Sequence, residues 1–328
     1  MERTLAPLNA VWLLLAYLPL SCAPLSPPEP VGPPPPPRIY SIPEARVADE
    51  RELVGRLASS RFVLLGETHD NPEHHRIQAR LLERLVLAGH TPAVAFEMLR
   101  RDQQEDVDEV TTRSGADADA LRAAVAWDES GWPPFEIYSP IFEAALEAGL
   151  PIAAADLSGA DRAALRKGEP DLLAELGLGE PLPDDMRRAL EGDIEASHCG
   201  HATPEMLPAM VRVQRARDAR LAQALLAASG GEGRLAVLIT GAEHARLDRG
   251  VPRALARLAP GADVTALAFL ELPRSEWVGT EPPEVSELAA IWERYSGPPP
   301  FDFVWLTEPE PRPDPCVEFE EALRQIGR

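Results

Sequence analysis

Two short segments place a histidine three residues after a glycine, each directly behind an apolar run. Gly66-Glu67-Thr68-His69 follows residues 62–65, and Gly241-Ala242-Glu243-His244 follows residues 235–240. An imidazole can bind a divalent metal ion, or it can act as a general base that a neighbouring acid orients. Either chemistry requires that the two segments meet in the folded protein.

Two glutamates occupy related positions. Glu67 lies within the first segment, and Glu97 closes the apolar run 93–96. A carboxylate at the end of such a run is costly to bury without a partner. His69, His244, Glu67 and Glu97 are therefore the candidates for catalysis or for binding a divalent metal ion. Alternatively, the glutamates cap helices or pair with arginines, and the histidines only stabilise strand-to-helix turns.

Two further histidines could contact a ligand. His74 lies in the first turn of a predicted helix, because Asn71 is a good N-cap and Pro72 is a good first helical residue. His198 precedes Gly200, which indicates a loop. That loop could present His198 to a ligand, or it could be an ordinary entry into the next helix.

Tyr138 and two arginines complete the candidate set. Tyr138 lies in the aromatic segment 132–142, and a phenol can ligate ferric iron, although core packing is the commoner role of such a segment. Arg215 and Arg217 lie in a helix predicted over 204–228. They could bind carboxylates of a ligand, or they could belong to an exposed, salt-bridged helix face.

The pattern of apolar runs provides a scaffold that could bring these residues together. Short apolar runs alternate with amphipathic stretches from about residue 40, which is typical of βαβ units. The sequence predicts an α/β fold with a mostly parallel central sheet that helices cover on both faces. The carboxyl ends of the strands should form the ligand crevice. The predicted strands are 62–65, 93–96, 152–155, 235–240 and 264–270, and the clearest helices are 72–88, 139–148 and 204–228.

The predicted α/β domain covers residues 39–275. Glycines and prolines break the helical pattern at about 157–203, which indicates a helical insertion. Residues 276–328 should form a peripheral extension, with an edge strand at 301–305. The sequence contains no G-x-G-x-x-G motif, no P-loop and no internal repeat of 20 to 50 residues.

Charge and composition exclude several classes of protein. The 328 residues include 32 basic and 53 acidic side chains, which gives a formal net charge of −21, and 45% of the residues are hydrophobic. The hydrophobic content excludes a wholly disordered chain. The acidic excess repels phosphate backbones, so we expect no nucleic-acid partner.

The N-terminal region predicts export. Residues 1–21 resemble a signal peptide, because the apolar run 11–20 is too short to span a bilayer. Cys22 ends this region as in bacterial lipoproteins, although Pro19 stands where such sites usually have leucine, and residues 22–38 form a proline-rich tether. We expect an exported cell-envelope protein that lipidated Cys22 anchors to a membrane. Simple secretion and an uncleaved short anchor are the alternatives.

The other two cysteines leave their pairing open. Cys199 and Cys316 could form a disulfide in an oxidising compartment. Their separation in sequence carries no information on geometry, and Cys199 could equally be an unpaired, half-buried residue.

Several of these motifs, taken in order, resemble the ChaN family of haem-binding bacterial lipoproteins. That family belongs to the Tiki/TraB/erythromycin-esterase-like superfamily, and the resemblance spans about residues 38–275. It is carried by residues 66–75 (GETHDNPEHH), Glu97, the aromatic segment 132–142, residues 198–200 (HCG), residues 214–218 (QRARD) and residues 241–244 (GAEH).

The resemblance implies an α/β body that takes up haem in a crevice, with two copies assembled around stacked haems. It also implies a lipoprotein that is anchored at the outer membrane. Tiki-like relatives imply metal-dependent peptide hydrolysis, and esterase-like relatives imply a histidine base that activates water. By position, His69, His244, Glu67 and Glu97 match the superfamily's site. The haem contacts that we expect are Tyr138, His69, His74, His198, Arg215 and Arg217.

Three hypotheses follow. The first is an exported haem-binding protein. The second is a hydrolase that uses a divalent metal ion held by His69, His244 and Glu67 or Glu97, so an enzymatic role stays open. The third is a surface adaptor that keeps the fold without chemistry.

Overall fold

The structure is a computed structural model that describes residues 38–230, 233–272 and 299–326. The predicted signal peptide, Cys22 and nearly all of the tether lie outside these residues. The strands are β1 (Arg38–Ser41), β2 (Arg46–Ala48), β3 (Phe62–Glu67), β4 (Ala93–Arg100), β5 (Ile152–Asp156), β6 (Ala236–Gly241), β7 (Val264–Glu271) and β8 (Phe303–Thr307). They form one sheet in the order β2-β1-β8-β7-β3-β6-β4-β5. Five of the strand pairings are parallel and two are antiparallel, both of them made by β1.

Twelve α-helices accompany the sheet in the described residues. They are α1 (Glu50–Ser59), α2 (Pro72–Leu87), α3 (Gln104–Thr111), α4 (Ala118–Ala124), α5 (Phe135–Glu147), α6 (Gly159–Lys167), α7 (Pro170–Glu175), α8 (Asp184–Ser197), α9 (Leu207–Ala228), α10 (Ala242–Ala245), α11 (Val251–Leu258) and α12 (Pro315–Ile326). Helix α2 begins as predicted, since the Asn71 side chain accepts a hydrogen bond of 2.9 Å from the Glu73 N–H and Pro72 is the first helical residue.

Side chains alternate between the two faces of the sheet, and each face has its own helices. Val63 and Leu65 of β3 point to the core that contains α1, α2 and α5. Phe62 and Leu64 point to the core that contains α9 and α11. This alternation is the period-two geometry of a strand. The predicted α/β class, with helices on both faces of a mostly parallel sheet, is confirmed.

The C-terminal extension differs from its predicted place. Strand β8 is not at an edge, because it lies between β1 and β7. All five of its residues are buried, which requires cover on both sides of the sheet. The short strands β1 and β2, which the sequence pattern did not reveal, provide the outer edge.

Residues 157–203 form short helices, as expected from their glycines and prolines. The connection from α8 to α9 is joined to the beginning of α12 by a Cys199–Cys316 disulfide, which settles the question that the sequence left open. Among the described residues, no helix combines the length and apolar character needed to cross a membrane.

Candidate functional site

Three of the parallel strands, β3, β4 and β5, carry carboxylates to one rim of the sheet. Glu67 ends β3, Asp156 ends β5, and Glu97 lies in the second half of β4. All three side chains are buried. Parallel strands end on the same side of a sheet, so the acids gather at the carboxyl rim where a ligand crevice is expected.

His69 stands between the two glutamates. Its Nδ1 lies 3.0 Å from Glu67 Oε1, and its Nε2 lies 3.9 Å from Glu97 Oε1. The side chain is 35% exposed, and its ring meets the edge of the Trp132 indole at 4.9 Å between centroids. Burial works to lower the pKa of His69, but the hydrogen bond to Glu67 and the charge of Glu97 outweigh it and raise that pKa.

The Glu67 carboxylate also contacts a phenol and a second imidazole. The Tyr138 hydroxyl donates a hydrogen bond of 2.7 Å to Glu67 Oε1, and His75 Nε2 lies 3.4 Å from Glu67 Oε2. Burial alone would raise the pKa of Glu67, yet the charge of His75 and the hydrogen bond from His69 hold it at about 2. Glu67 is therefore an anion at neutral pH, and it can accept a hydrogen bond from the Nδ1–H of His69. In the neutral imidazole this tautomer leaves Nε2 without a proton.

Tyr138 is placed to support this carboxylate. The sequence offered it as an iron ligand, but its side chain is fully buried in α5 and its hydroxyl also lies 3.2 Å from the His69 backbone oxygen. Burial and the charge of Glu67 raise the pKa of the phenol, so it stays protonated. A buried phenol that already donates to Glu67 is a hydrogen-bond donor in this structure and is not presented to the crevice.

We call the two Gly-x-x-His segments, residues 66–69 and 241–244, the first and second corners. The second corner places His244 against Glu97, which His69 of the first corner also faces. His244 Nε2 lies 3.5 Å from Glu97 Oε1, and His244 Nδ1 lies 2.6 Å from Asp218 Oδ1 on α9. The His244 side chain is only 5% exposed. Burial works to lower the pKa of His244, but the charges of Glu97 and Asp218 raise it. The two predicted histidines therefore converge, as the sequence indicated, and Glu97 lies between them.

Glu97 receives hydrogen bonds from three other donors. Arg217 Nη2 donates at 2.7 Å, Thr240 Oγ1 at 2.5 Å and the Gly241 N–H at 2.8 Å. Burial raises the pKa of Glu97, but His244, Arg217 and His69 lower it much further. A buried carboxylate with these partners is a fixed anion that organises both corners.

Close packing explains the glycines of both corners. A Cβ on Gly66 would lie 2.9 Å from Ala242 Cα and 2.9 Å from Ala245 Cβ. A Cβ on Gly241 would lie 2.9 Å from His69 Nε2. Neither glycine has a positive φ, so the missing side chain provides space rather than a special backbone conformation. The space beside Gly241 is filled by the His69 ring, whose Nε2 also faces Glu97 Oε1 at 3.9 Å.

Arg215 and Arg217 point to different surroundings. Arg217 Nε donates to Asp156 Oδ1 at 3.1 Å, in addition to its bond to Glu97. Arg215 instead donates to the backbone oxygen of Glu180 at 2.7 Å. Residues two apart on a helix differ by about 200° in direction, which the shared motif does not reveal. Of the two predicted arginines, only Arg217 reaches the site.

His74 and His198 also have different settings. His74 is buried, accepts a hydrogen bond of 2.9 Å from the Thr68 N–H at Nδ1, and pairs with Thr307 Oγ1 through Nε2 at 2.7 Å. Burial lowers the pKa of His74 to about 4, so it is a neutral structural residue. His198 Nδ1 lies 2.7 Å from the Ile194 oxygen, and the residue lines an open cleft.

Two clefts beside α9 form what we call the crevice. Their volumes are about 370 and 400 Å³, and Val213 and Arg217 contribute to both walls. Trp132 links the second cleft to His69. Ligand pockets in proteins range over roughly 300–1,000 Å³. The other lining residues that matter are Met210, His198, Leu157 and Arg162.

The predicted metal ligands do not form a metal cluster in the structure. Among the described residues, no group of three or more His, Cys, Asp and Glu side chains has an arrangement that could hold a metal ion. His69 and His244 contact Glu97 from two sides, and their outer nitrogens engage Glu67 and Asp218. The arrangement is a hydrogen-bonded row of acids and imidazoles.

Sequence reasoning missed two important members of this row. Asp156 closes an apolar run in the same way as Glu97, and that signal could have identified it. Asp218 belongs to the motif 214–218 that carries the family resemblance, but its contact with His244 arises only where the folded structure brings α9 against α10. His75 follows His74 in the first turn of α2, and its contact with Glu67 depends on the direction of the side chain.

The fold and this rim of paired histidines and carboxylates define an α/β protein of the Tiki superfamily. The family model described as haem-binding uptake, Tiki superfamily, ChaN matches residues 53–255, and the chain belongs to this family. A comparison with curated protein sequences finds no significant match.

One of the similar solved structures shows the same fold, and two others are less similar. ChaN of Campylobacter jejuni, described for cofacial haem binding, is 18% identical with a TM-score of 0.63, and the match covers 82% of this chain and 96% of that chain. The erythromycin esterase EreC in its open conformation is 15% identical with a TM-score of 0.42, covering 73% and 77%. The type III effector HopBA1 is 16% identical with a TM-score of 0.39, covering 68% and 82%.

Proposed function

We propose that this chain binds haem in the crevice, with His69 as the iron ligand. The observation that carries the proposal is a 35% exposed imidazole whose Nδ1 faces Glu67 and whose ring contacts Trp132 of the crevice wall. A carboxylate on Nδ1 fixes the tautomer and orientation of a metal-binding histidine. Haem, when bound, would supply a ferric iron that His69 would hold.

The crevice walls fit an amphipathic porphyrin. Val213, Met210 and Trp132 provide apolar surface, and haem needs such a shell. Arg217 and Arg162 would provide guanidinium groups for propionates, in addition to the hydrogen bonds that both donate to Asp156. Membership of a haem-binding family supports the same assignment.

Haem titration tests this proposal with a matched pair of valines. Val213 in the crevice is 42% exposed, and Val317 on α12 is 52% exposed. The full chain should give a saturable Soret band, and Val213→Glu should weaken it about tenfold or more by placing a charge against the porphyrin. Val317→Glu should bind haem like the unaltered chain. Absence of a saturable band, or equal loss in both variants, would contradict the proposal.

We also propose that the protein acts in the cell envelope as an outer-membrane lipoprotein. The signal-like residues 1–21 and Cys22 support export and lipidation. The Cys199–Cys316 disulfide supports an oxidising compartment. Acyl labelling of the unaltered chain and of Cys22→Ser tests the anchor, which is excluded if neither form incorporates acyl chains.

A homodimer around haem is part of the proposal. Cofacial haem binding is described for the Campylobacter jejuni relative, and here Val213 on α9 and Met206 directly before α9 leave apolar surface exposed. Sedimentation with and without haem should show dimers only in the haem-loaded sample. A chain that stays monomeric at saturating haem would exclude this assembly.

A second candidate function is hydrolysis by a histidine base. The specific observation is the 2.6 Å contact between His244 Nδ1 and buried Asp218, since an acid on Nδ1 orients an imidazole for proton transfer. A screen of esters and peptides, with and without added divalent ions, should show activity that Asp218→Asn and His244→Ala both abolish. Equal activity in the variants would reject this candidate.

A further inference from the structure

A separate cavity lies on another flank of α9, away from the crevice. Its volume is about 140 Å³, and it is lined by α9, α11 and the connection between α7 and α8. The cavity is open to solvent on one side, since Arg253 and Arg257 of its lining are exposed. Arg249 belongs to its wall and is paired with Asp193 and Glu243. The other charged residues of the lining are Glu180, Arg215, Asp218, Arg253 and Arg257. Four arginines therefore meet at one small cavity in a chain with a net charge of −21.

Three of these arginines form no ion pair within the parts of the chain that the structure describes: Arg215, Arg253 and Arg257. Arg215 Nη2 donates to the Glu180 backbone oxygen at 2.7 Å, and Arg257 Nη1 donates to the Gly177 backbone oxygen at 2.7 Å. Backbone oxygens satisfy single N–H groups but carry no formal charge, and the nearby charge of Asp218 offsets only part of the repulsion at Arg215.

The electrostatic consequence is visible at Arg215. Burial and the nearby charges of Arg257 and Arg253 lower the pKa of its guanidinium. Crowding like charges in a partly desolvated cavity is unfavourable unless an anion compensates them. Guanidinium groups recognise oxyanions through parallel N–H donors. The cavity has room for a small ion, because one water molecule takes about 30 Å³ of liquid volume.

We propose that this cavity binds a small oxyanion of the phosphate type. Arg215, Arg253 and Arg257 donate to its oxygens, and the anion adds to the partial counter-charge of Asp218. Asp218 also lines the cavity, but its Oδ1 is engaged by His244. The cavity shares no lining residue with the haem crevice, so the proposal is independent of haem binding.

Calorimetric titration of the full chain with inorganic phosphate, at low ionic strength, tests the proposal. We expect saturable binding of one phosphate per chain and a rise in melting temperature with phosphate concentration. The double variant Arg253→Gln/Arg257→Gln should weaken binding about tenfold or more, since each lost guanidinium removes a charge-assisted hydrogen bond. Arg212→Gln is the matched control, because Arg212 is an exposed arginine of α9 outside the cavity.

The variants also separate binding from folding. In phosphate-free buffer the double variant should melt at or above the temperature of the unaltered chain, because it loses like-charge repulsion. Binding by Arg212→Gln should stay within about twofold of the unaltered chain. No saturable heat with the unaltered chain, or equal losses in the control and the double variant, would overturn the proposal. Failure of acetate to compete would confirm the tetrahedral anion, whereas equal competition by acetate would contradict it.

Discussion

The two Gly-x-x-His corners share their spacing and their glutamate, yet their histidines meet different surroundings. His69 lies in the β3–α2 connection and is 35% exposed, whereas His244 lies in α10 and is 5% exposed. At the first corner the neighbour is Trp132 at the crevice, and at the second it is buried Asp218. The positions of the strands bring both imidazoles to the rim of the sheet. The helices packed around them determine how exposed each imidazole is, and therefore which of them can contact a ligand.

The largest effect should come from removing the residue that both corners share. Glu97→Ala leaves Arg217 and two imidazoles without their buried anion, so we expect a loss of about 3–5 kcal/mol in the free energy of unfolding. Urea denaturation measures it, with Glu105→Ala on the exposed side of α3 as the control. A loss no larger than that of the control would show that the corners are not coupled through Glu97.

A smaller effect should distinguish the two corner glycines. Gly66→Ala forces a Cβ against the α10 backbone and should cost about 1–3 kcal/mol of stability. Gly241→Ala meets only the movable end of the His69 side chain, so it should cost less stability and weaken haem binding instead. Gly55→Ala, which meets no neighbour, should stabilise α1 by about 0.5–1 kcal/mol.

Denaturation and haem titration on the same three variants provide the readouts. Equal stability of Gly66→Ala and Gly55→Ala, or unchanged haem affinity in Gly241→Ala, would contradict the expected difference between the two corner glycines.

The smallest effect is the response to pH. His69 and His244 have raised pKa values in the fold, so the stability they contribute is complete below their unfolded pKa of about 6.5 and is lost as the pH rises through the folded values. Iron ligation needs the neutral His69, so haem affinity should increase over the same rise in pH. His244→Ala should keep this pH dependence of affinity. Haem affinity that stays constant or falls with rising pH would contradict the role of His69.

Much of the scaffold could be predicted from the sequence, because apolar runs identify parallel strands that are buried on both faces. The convergence of His69, His244 and Glu97 followed from the rule that such strands end at one rim. Strand β8 was placed at an edge because β1 and β2 are too short to leave a pattern. Its actual neighbours depend on contacts between the two ends of the chain.

Side-chain direction limited the prediction of the site. Tyr138 and His74 lie close to the candidate residues in space, but packing turns one beneath Glu67 and the other toward Thr307. Arg215 and Arg217 separate because a helix rotates by about 100° per residue. The role of Asp218 depends on the meeting of α9 and α10, which no local spacing encodes.

The most direct test of the account is haem titration of His69→Ala beside His244→Ala, followed by the visible spectrum of the iron. We expect His69→Ala to lose the bands of histidine-ligated iron in the visible spectrum and to bind haem much more weakly. His244→Ala should keep the spectrum and the haem affinity of the unaltered chain. Unchanged haem coordination in His69→Ala, or its loss only in His244→Ala, would contradict the division of roles between the two corners.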